Sequence, residues 1–251
     1  MGRGKRNKKS NAIRRRASKF TLRYWLKWGF LLLVGAILLY QVAIFSQVVW
    51  FRWFDPQTTA FMQAESKRLA QLTPPKAIEQ QWVGYEDIST YAKRAVISAE
   101  DTGFVDHQGI EWESIERAFR ANFESGEIRF GGSTITMQLA KNLFLSSDRS
   151  YIRKVQEVII TFMLEAMMDK QRILELYLNV AEWGVGVFGI EAAAQHYYGR
   201  SASRLTARQS AWLASILPSP KRYDVNRQSR WVERKTGIIL RRMPQVIVPS
   251  N

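Results

Sequence analysis

The chain is 251 residues long, with 37 Lys and Arg against 22 Asp and Glu, a formal net charge of +15 and no cysteine. The absence of cysteine excludes disulfides and thiolate metal sites, and the length admits one large domain or two small ones. Eleven of the positive charges lie in the first 50 residues, which hold no Asp or Glu, so the high charge belongs to the tail and only +4 remains beyond it.

In chain order, residues 1–23 are polar, basic and too poor in apolar residues to repay ordering, so a disordered tail is expected. A basic arm can bind nucleic acid, but this one runs straight into a hydrophobic segment, which assigns it to the membrane and excludes nucleic acid as a partner. From Trp28 to Phe51 the sequence WGFLLLVGAILLYQVAIFSQVVWF carries no charge. At about 1.5 Å per residue it reaches roughly 36 Å, enough to cross a ~30 Å hydrocarbon core with some tilt. Trp25 and Trp28 at one end, and Trp50 and Trp53 at the other, suit the two interfaces. A cleaved signal peptide would have a shorter apolar core of about 7–15 residues and an A-x-A-like site, and neither feature is present. Residues 24–53 are therefore predicted as an uncleaved transmembrane anchor. The positive-inside rule keeps the basic end cytoplasmic and puts residues 54–251 outside as one domain.

The remainder reads as almost entirely helical, with no convincing run of alternating strand residues. A connecting helix is predicted over 54–73, ended by Pro74 and Pro75. Asp87 is the expected cap of a helix with Ala92, Ala95, Val96 and Ala99 on its apolar stripe and Glu100 at its C-terminal end. Ser133 is the expected cap of a second helix reaching about Phe144. Ile135, Leu139 and Leu143 share one of its faces, and Gln138, Lys141 and Asn142 share another. A third helix starts near Ser150. It is expected to bury Val155, Val158, Ile159, Phe162 and Met163 and to leave Arg153 and Glu157 away from that stripe. Thr206 and Gln209 read as a capping box for a helix that runs to Leu217, where Pro218 and Pro220 stop it.

Three segments carry candidate chemistry. Glu100 would sit beside a buried stripe and at the negative end of a helix dipole. Both surroundings disfavour a charged carboxyl and suit a general base near neutral pH. The bland alternative is a solvated helix-end glutamate beside Asp101. The stretch Gly131–Thr134 brings two glycines to a helix start, where free N–H groups favour anions, and Lys141, Arg149, Arg153 and Lys154 follow it. Those cations read equally as a phosphate-binding patch or as a solvated face. Glu157 is either a surface partner of Arg153, worth about 0.3–0.5 kcal/mol, or a second functional carboxylate. His107 and His196 lack a second ligand at metal spacing and are assigned structural roles. No Asp-x-Asp pair exists, which argues against a nucleotide-sugar transferase with a metal-bound diphosphate.

Five segments in order resemble the peptidoglycan glycosyltransferases (glycosyltransferase family 51), and in particular their monofunctional, membrane-anchored members. EDTGFVDHQG at 100–109 is similar to the E-D-x-x-F-x-x-H-x-G motif, GSTITMQ at 132–138 to G-S-T-I-T-Q-Q, and RKVQE at 153–157 to R-K-x-x-E. KQRILELYLN at 170–179 is similar to K-x-x-I-L-E-x-Y-L-N, and GIEAA at 189–193 with Tyr198 and Gly199 completes the set. The match spans roughly residues 75 to 220, and Met137 departs from it where the family has Gln.

The resemblance implies a mainly α, lysozyme-like helical domain with a small membrane-facing jaw near residues 110–150, where Phe123, Phe130, Leu143 and Phe144 would touch lipid. It implies polymerisation of lipid II. The growing lipid-pyrophosphate-linked strand is the donor, and the acceptor's sugar 4-hydroxyl attacks with inversion to form a β-1,4 bond and expel undecaprenyl pyrophosphate. Glu100 would then be the base, and Lys141, Arg149, Arg153 and Lys154 would stabilise the leaving pyrophosphate. Glu157 would organise that group, and Ser133, Gln138, Asn142 and Arg117 would position substrate. No cofactor is obligatory, though a divalent cation (Mg2+ or Mn2+) is admitted, as are partners among cell-wall synthesis or division proteins. The expected location is the bacterial inner membrane with a periplasmic catalytic domain. A lysozyme-like hydrolase would need no cationic group around Glu157, and a non-catalytic scaffold would need neither glutamate. A transpeptidase domain is excluded, since no Ser-x-x-Lys occurs.

Overall fold

The computed structural model describes residues 4–125, 132–145 and 150–250. Helix α1 runs without a break from Gly4 to Phe51. No proline interrupts its hydrogen-bond ladder, and Lys and Arg are good helix formers, so the tail expected to be disordered is helical from Gly4 onward. Within it, Arg23–Phe51 is the one helix among the described residues long and apolar enough to cross a membrane, with a mean hydropathy of 2.2. The chain divides into two compact units, residues 1–47 and 48–251.

In the second unit, α2 (Ala60–Leu69) is shorter than the predicted 54–73. Pro56 keeps the preceding residues out of the helix, and Thr59 caps it by accepting from the Met62 amide at 3.1 Å. Helix α3 (Thr90–Glu100) is capped by Ser89, not Asp87. Of its predicted stripe, Ala92, Ala95 and Val96 are buried and Ala99 is half-buried. The later helices are α4 (Trp112–Ser125), α5 (Ile135–Phe144), α6 (Tyr151–Met167) and α7 (Lys170–Val180). They continue as α8 (Ile190–Tyr198), α9 (Ala207–Ile216), α10 (Pro220–Val225) and α11 (Arg230–Arg242). The capping box of Thr206 and Gln209 forms at the start of α9. Pro220 does more than stop that helix: it opens α10 from the first turn, where its missing N–H is harmless.

A small sheet, unforeseen in the sequence, joins β1 (Glu79–Gln80), β2 (Glu182–Gly184) and β3 (Val187–Phe188) in the order β1-β3-β2. Strand β1 is parallel to β3, and β2 is antiparallel to it. Strands of two or three residues are too short to show alternation, so no pattern could have revealed them.

Two groups of helices make the core. One packs α3 against α9 and α11, and the other packs α5 against α2, α6 and α7. They meet where the C-terminal end of α3 approaches the start of α5. There the Asp101 carboxylate accepts from the Ile135 amide at 3.0 Å, a contact favoured by the positive end of the α5 dipole.

Helix α6 is turned opposite to expectation. Val155 is 61% exposed and Phe162 49% exposed, and Ile159 is also exposed. Glu157, Thr161, Ile160 and Leu164 face inward instead. The apolar stripe is real, but packing took the mixed face. In the predicted jaw, Phe123 is exposed, whereas Leu143 is buried and Phe144 is half-buried beside the Phe51 ring at 6.0 Å. Phe130 lies outside the described residues.

Candidate active site

The last residue of α3 points into a cleft of about 190 Å3 lined by Glu100, Glu111, Ser114, Ser133, Thr134 and Arg242 among others. The Glu100 side chain is 11% exposed. Its Oε2 accepts from Gln138 Nε2 at 2.9 Å, and Gln138 Oε1 accepts in turn from the Tyr177 hydroxyl at 3.0 Å. Tyr177 is fully buried, and burial first, then the Glu100 and Asp101 carboxylates, raise its pKa well above the ordinary value. It therefore stays a neutral donor, and the relay from α7 through α5 orients the carboxylate. Glu100 Oε1 is buried without a hydrogen-bond partner and faces Lys235 Nζ of α11 at 3.9 Å. The surroundings of Glu100 are thus polar on two sides, not the purely apolar stripe expected.

The loop after Glu100 is braced. The Gly109 amide donates to His107 Nδ1 at 3.1 Å, which leaves the ring proton on Nε2 to be donated to Asp101 Oδ1 at 2.8 Å. His107 is structural, as predicted, and its tautomer is set by these two bonds. Gly109 has φ +83°, and a Cβ there would lie 2.6 Å from Thr161 Cγ2, so only glycine fits between loop and α6. A Cβ on Gly132 would lie 2.8 Å from Ile115 Cα, so the strand of chain leading to Ser133 passes directly against α4.

Thr134, not Ser133, caps α5, accepting from the Met137 amide at 3.2 Å. Ser133 is left to line the cleft, and its hydroxyl accepts from Lys154 Nζ at 3.1 Å. Lys154 also bonds Glu157 Oε1 at 2.5 Å, and Arg153 Nη1 bonds Glu157 Oε2 at 2.7 Å. Glu157 is only 3% exposed, so the pair with Arg153 is a buried clasp and not a surface bridge. Lys141 feels both glutamates. Burial lowers its pKa most, the Glu157 and Glu100 charges oppose that, and the Arg153 and Lys154 charges add to it.

Of the remaining predicted residues, Asn142 is buried on the face of α5 that carries Gln138 and Lys141. Arg117 is exposed on α4, donating to Ser114 Oγ at 2.6 Å, and so reaches the cleft only through a lining residue. Arg149 lies outside the described residues, as does Gly131. Met137 is 1% exposed, so this position offers no side chain to the cleft.

Sequence reasoning missed Tyr177, Lys235 and Arg242. Tyr177 lies within a recognised motif, whereas the two cations of α11 come from a stretch with no motif at all. Lys235 stands 135 positions from Glu100 in the chain, and no local spacing signals that approach.

A family model described as transglycosylase matches residues 65–244. The chain is similar to a protein of Herminiimonas arsenicoxydans named biosynthetic peptidoglycan transglycosylase, at 51% identity across 91% of this chain and 99% of that protein. Proteins of the same name from Laribacter hongkongensis and Bordetella avium are also 51% identical, each over 90% of this chain and 99% and 98% of their own lengths.

Proposed function

Because the chain belongs to the transglycosylase family and is a peptidoglycan glycosyltransferase of cell-wall biosynthesis, we propose that it elongates glycan strands on their lipid pyrophosphate. The growing strand is the donor. The 4-hydroxyl of the next lipid II attacks the donor's anomeric carbon with inversion, a β-1,4 bond forms, and undecaprenyl pyrophosphate leaves.

The observation that carries this reading is the contrast between the two glutamates. Glu100 lines a polar cleft and keeps one buried oxygen free of any hydrogen bond, while Glu157 is closed off among cations. A carboxylate held by Gln138 at one oxygen and unpaired at the other is equipped to take a proton. The cations around Glu157 are equipped to stabilise charge on a departing pyrophosphate. In this reading Lys141, Arg153 and Lys154, with Arg149, form the leaving-group site. Ser133, Gln138, Asn142 and Arg117 position substrate. A hydrolase acting on finished glycan would have no use for the cations.

Among the described residues no group of three or more His, Asp or Glu side chains could hold a metal ion. We propose that no cofactor is obligatory and that a divalent cation (Mg2+ or Mn2+) can accompany the substrate pyrophosphate; polymer formed in excess chelator is the expected outcome. The N-terminal apolar helix is consistent with a single-pass anchor. The excess of cations before it supports a cytoplasmic N terminus and a periplasmic catalytic domain at the inner membrane. The exposed Phe123, Ile152, Val155 and Phe162 would meet lipid.

The test is incubation of the detergent-purified chain with labelled lipid II, resolving products by gel. A ladder of muramidase-sensitive polymer, absent in Glu100→Gln, is expected. Cleavage of preformed glycan with no polymer would contradict the reading.

A further inference from the structure

Beside Glu100 stands a cation that none of the five motifs supplies. Lys235 Nζ lies 3.9 Å from Glu100 Oε1, the buried oxygen that has no hydrogen-bond partner. The Lys235 side chain is 21% exposed and its ammonium stands 5.4 Å from the centre of the Trp231 ring. Arg242, two turns further along at the end of α11, lines the cleft that Glu100 also lines.

A separation of 3.9 Å is too long for the two groups to bond each other. It suits both bonding one oxygen between them: an oxygen about 2.8 Å from each would see them at about 90°. A small outward movement of the flexible lysine brings that angle to the value an alcohol oxygen prefers. Three polar groups near Glu100 are committed elsewhere. Gln138 bonds the opposite carboxylate oxygen, Tyr177 bonds Gln138, and Asp101 bonds His107 and the Ile135 amide. Lys141 lies toward the Glu157 cluster, whose charge acts on it more strongly than that of Glu100.

We propose that Lys235 is a further catalytic residue, donating a hydrogen bond to the attacking sugar hydroxyl while Glu100 Oε1 accepts that hydroxyl's proton. The inference rests on the reading of Glu100 as the base. As the hydroxyl oxygen bonds to the anomeric carbon, its proton passes to Glu100. The bond from that carbon to the pyrophosphate oxygen breaks, and its electron pair leaves with the lipid pyrophosphate. Negative charge on the attacking oxygen peaks as the proton departs, and a partly buried ammonium beside it stabilises that charge. Lys235 keeps its own protons throughout, and Glu100 returns the one it took to solvent before the next addition. Burial lowers the pKa of Lys235 and the Glu100 carboxylate opposes that shift, so the ammonium is sustained by the residue it serves.

The test compares Lys235→Met, Lys235→Arg and the parent full-length chain in detergent, measuring initial polymerisation rates on labelled lipid II. Lys235→Met is expected to lower kcat by about 100-fold with KM within about threefold, and with melting temperature unchanged. Lys235→Arg should recover part of the rate. Combined with Glu100→Gln, Lys235→Met should add little further loss, because both side chains act on one hydroxyl. If Lys235→Met does not fold, Lys235→Gln, which removes the charge but keeps a donor, is read the same way. A kcat within threefold of the parent, a loss confined to KM, or losses that multiply in the double variant would overturn the proposal. A parent chain that makes no polymer would instead sink the reading of Glu100 on which it rests.

Discussion

Glu100 and Glu157 are the same side chain equipped in opposite ways. Glu157, buried in α6, has each carboxylate oxygen bonded to a different cation, at 2.7 Å to Arg153 and 2.5 Å to Lys154. Glu100 has one oxygen bonded to a neutral amide and the other buried without a hydrogen bond. A carboxylate with both oxygens engaged by cations serves as a counter-charge that fixes those cations in place. One with an unpaired oxygen can receive a proton. The difference lies in what the neighbouring helices bring, and on it the proposed function rests two roles that residue type alone cannot separate.

That contrast can be broken most severely at Glu100. Glu100→Gln keeps the size and the Gln138 contact but removes the base, and polymerisation should fall by about 1,000-fold or more. The measurement is the initial rate on labelled lipid II, with circular dichroism unchanged. Glu157→Gln acts differently, leaving Arg153 and Lys154 close together without their counter-charge. A loss of roughly 100-fold in rate is expected, together with a lowered melting temperature, since the buried clasp loses its centre. Rate loss in Glu157→Gln with no change in melting temperature would undo the counter-charge role.

A smaller effect is expected one step behind the base. Tyr177→Phe removes the hydroxyl that orients Gln138, and about a fivefold slowing is expected, in line with the ~1 kcal/mol of a single buried hydrogen bond. Lipid II binding measured alongside should be unchanged, since the aromatic ring remains in the core.

A third carboxylate serves as a control outside the cleft. Glu182 is buried near Lys221, which approaches it at 3.3 Å while also bonding Glu65 at 2.6 Å. Desolvation raises the Glu182 pKa to about 7, only partly offset by Lys221. The folded chain therefore holds a proton there that the unfolded chain has already lost. Stability falls as pH rises from the ordinary carboxyl range of about 4.5 to about 7, then levels. Glu65 shifts the opposite way, its carboxyl lowered chiefly by Arg68, so its own contribution is lost only below that window. Glu182→Gln should flatten the decline of melting temperature across that range while leaving polymerisation within about twofold. An unchanged slope would show that another group sets it.

Much of this was legible in the sequence, and what was not failed for identifiable reasons. The face shared by Gln138, Lys141 and Asn142 follows from helical spacing, and the structure keeps it. Helix α6 shows the limit of such reasoning. Periodicity tells which residues share a face, but not which face turns inward. The rule that the apolar face goes to the core failed for Val155, Ile159 and Phe162. Caps slipped by one or two residues, from Asp87 to Ser89 and from Ser133 to Thr134, because neighbouring Ser, Thr and Asp all qualify. Lys235 reaches Glu100 only through the packing of α11 on α3 and α9, a long-range contact that spacing cannot encode.

The most direct test of the division of labour between the two glutamates is to measure lipid II binding and turnover in parallel on Glu100→Gln. Binding within about threefold of the parent with turnover abolished is the predicted result, because the base touches the reacting hydroxyl and not the anionic anchor of the substrate. Binding lost in proportion to turnover would contradict it, by making Glu100 part of the substrate-holding site and leaving the base unidentified.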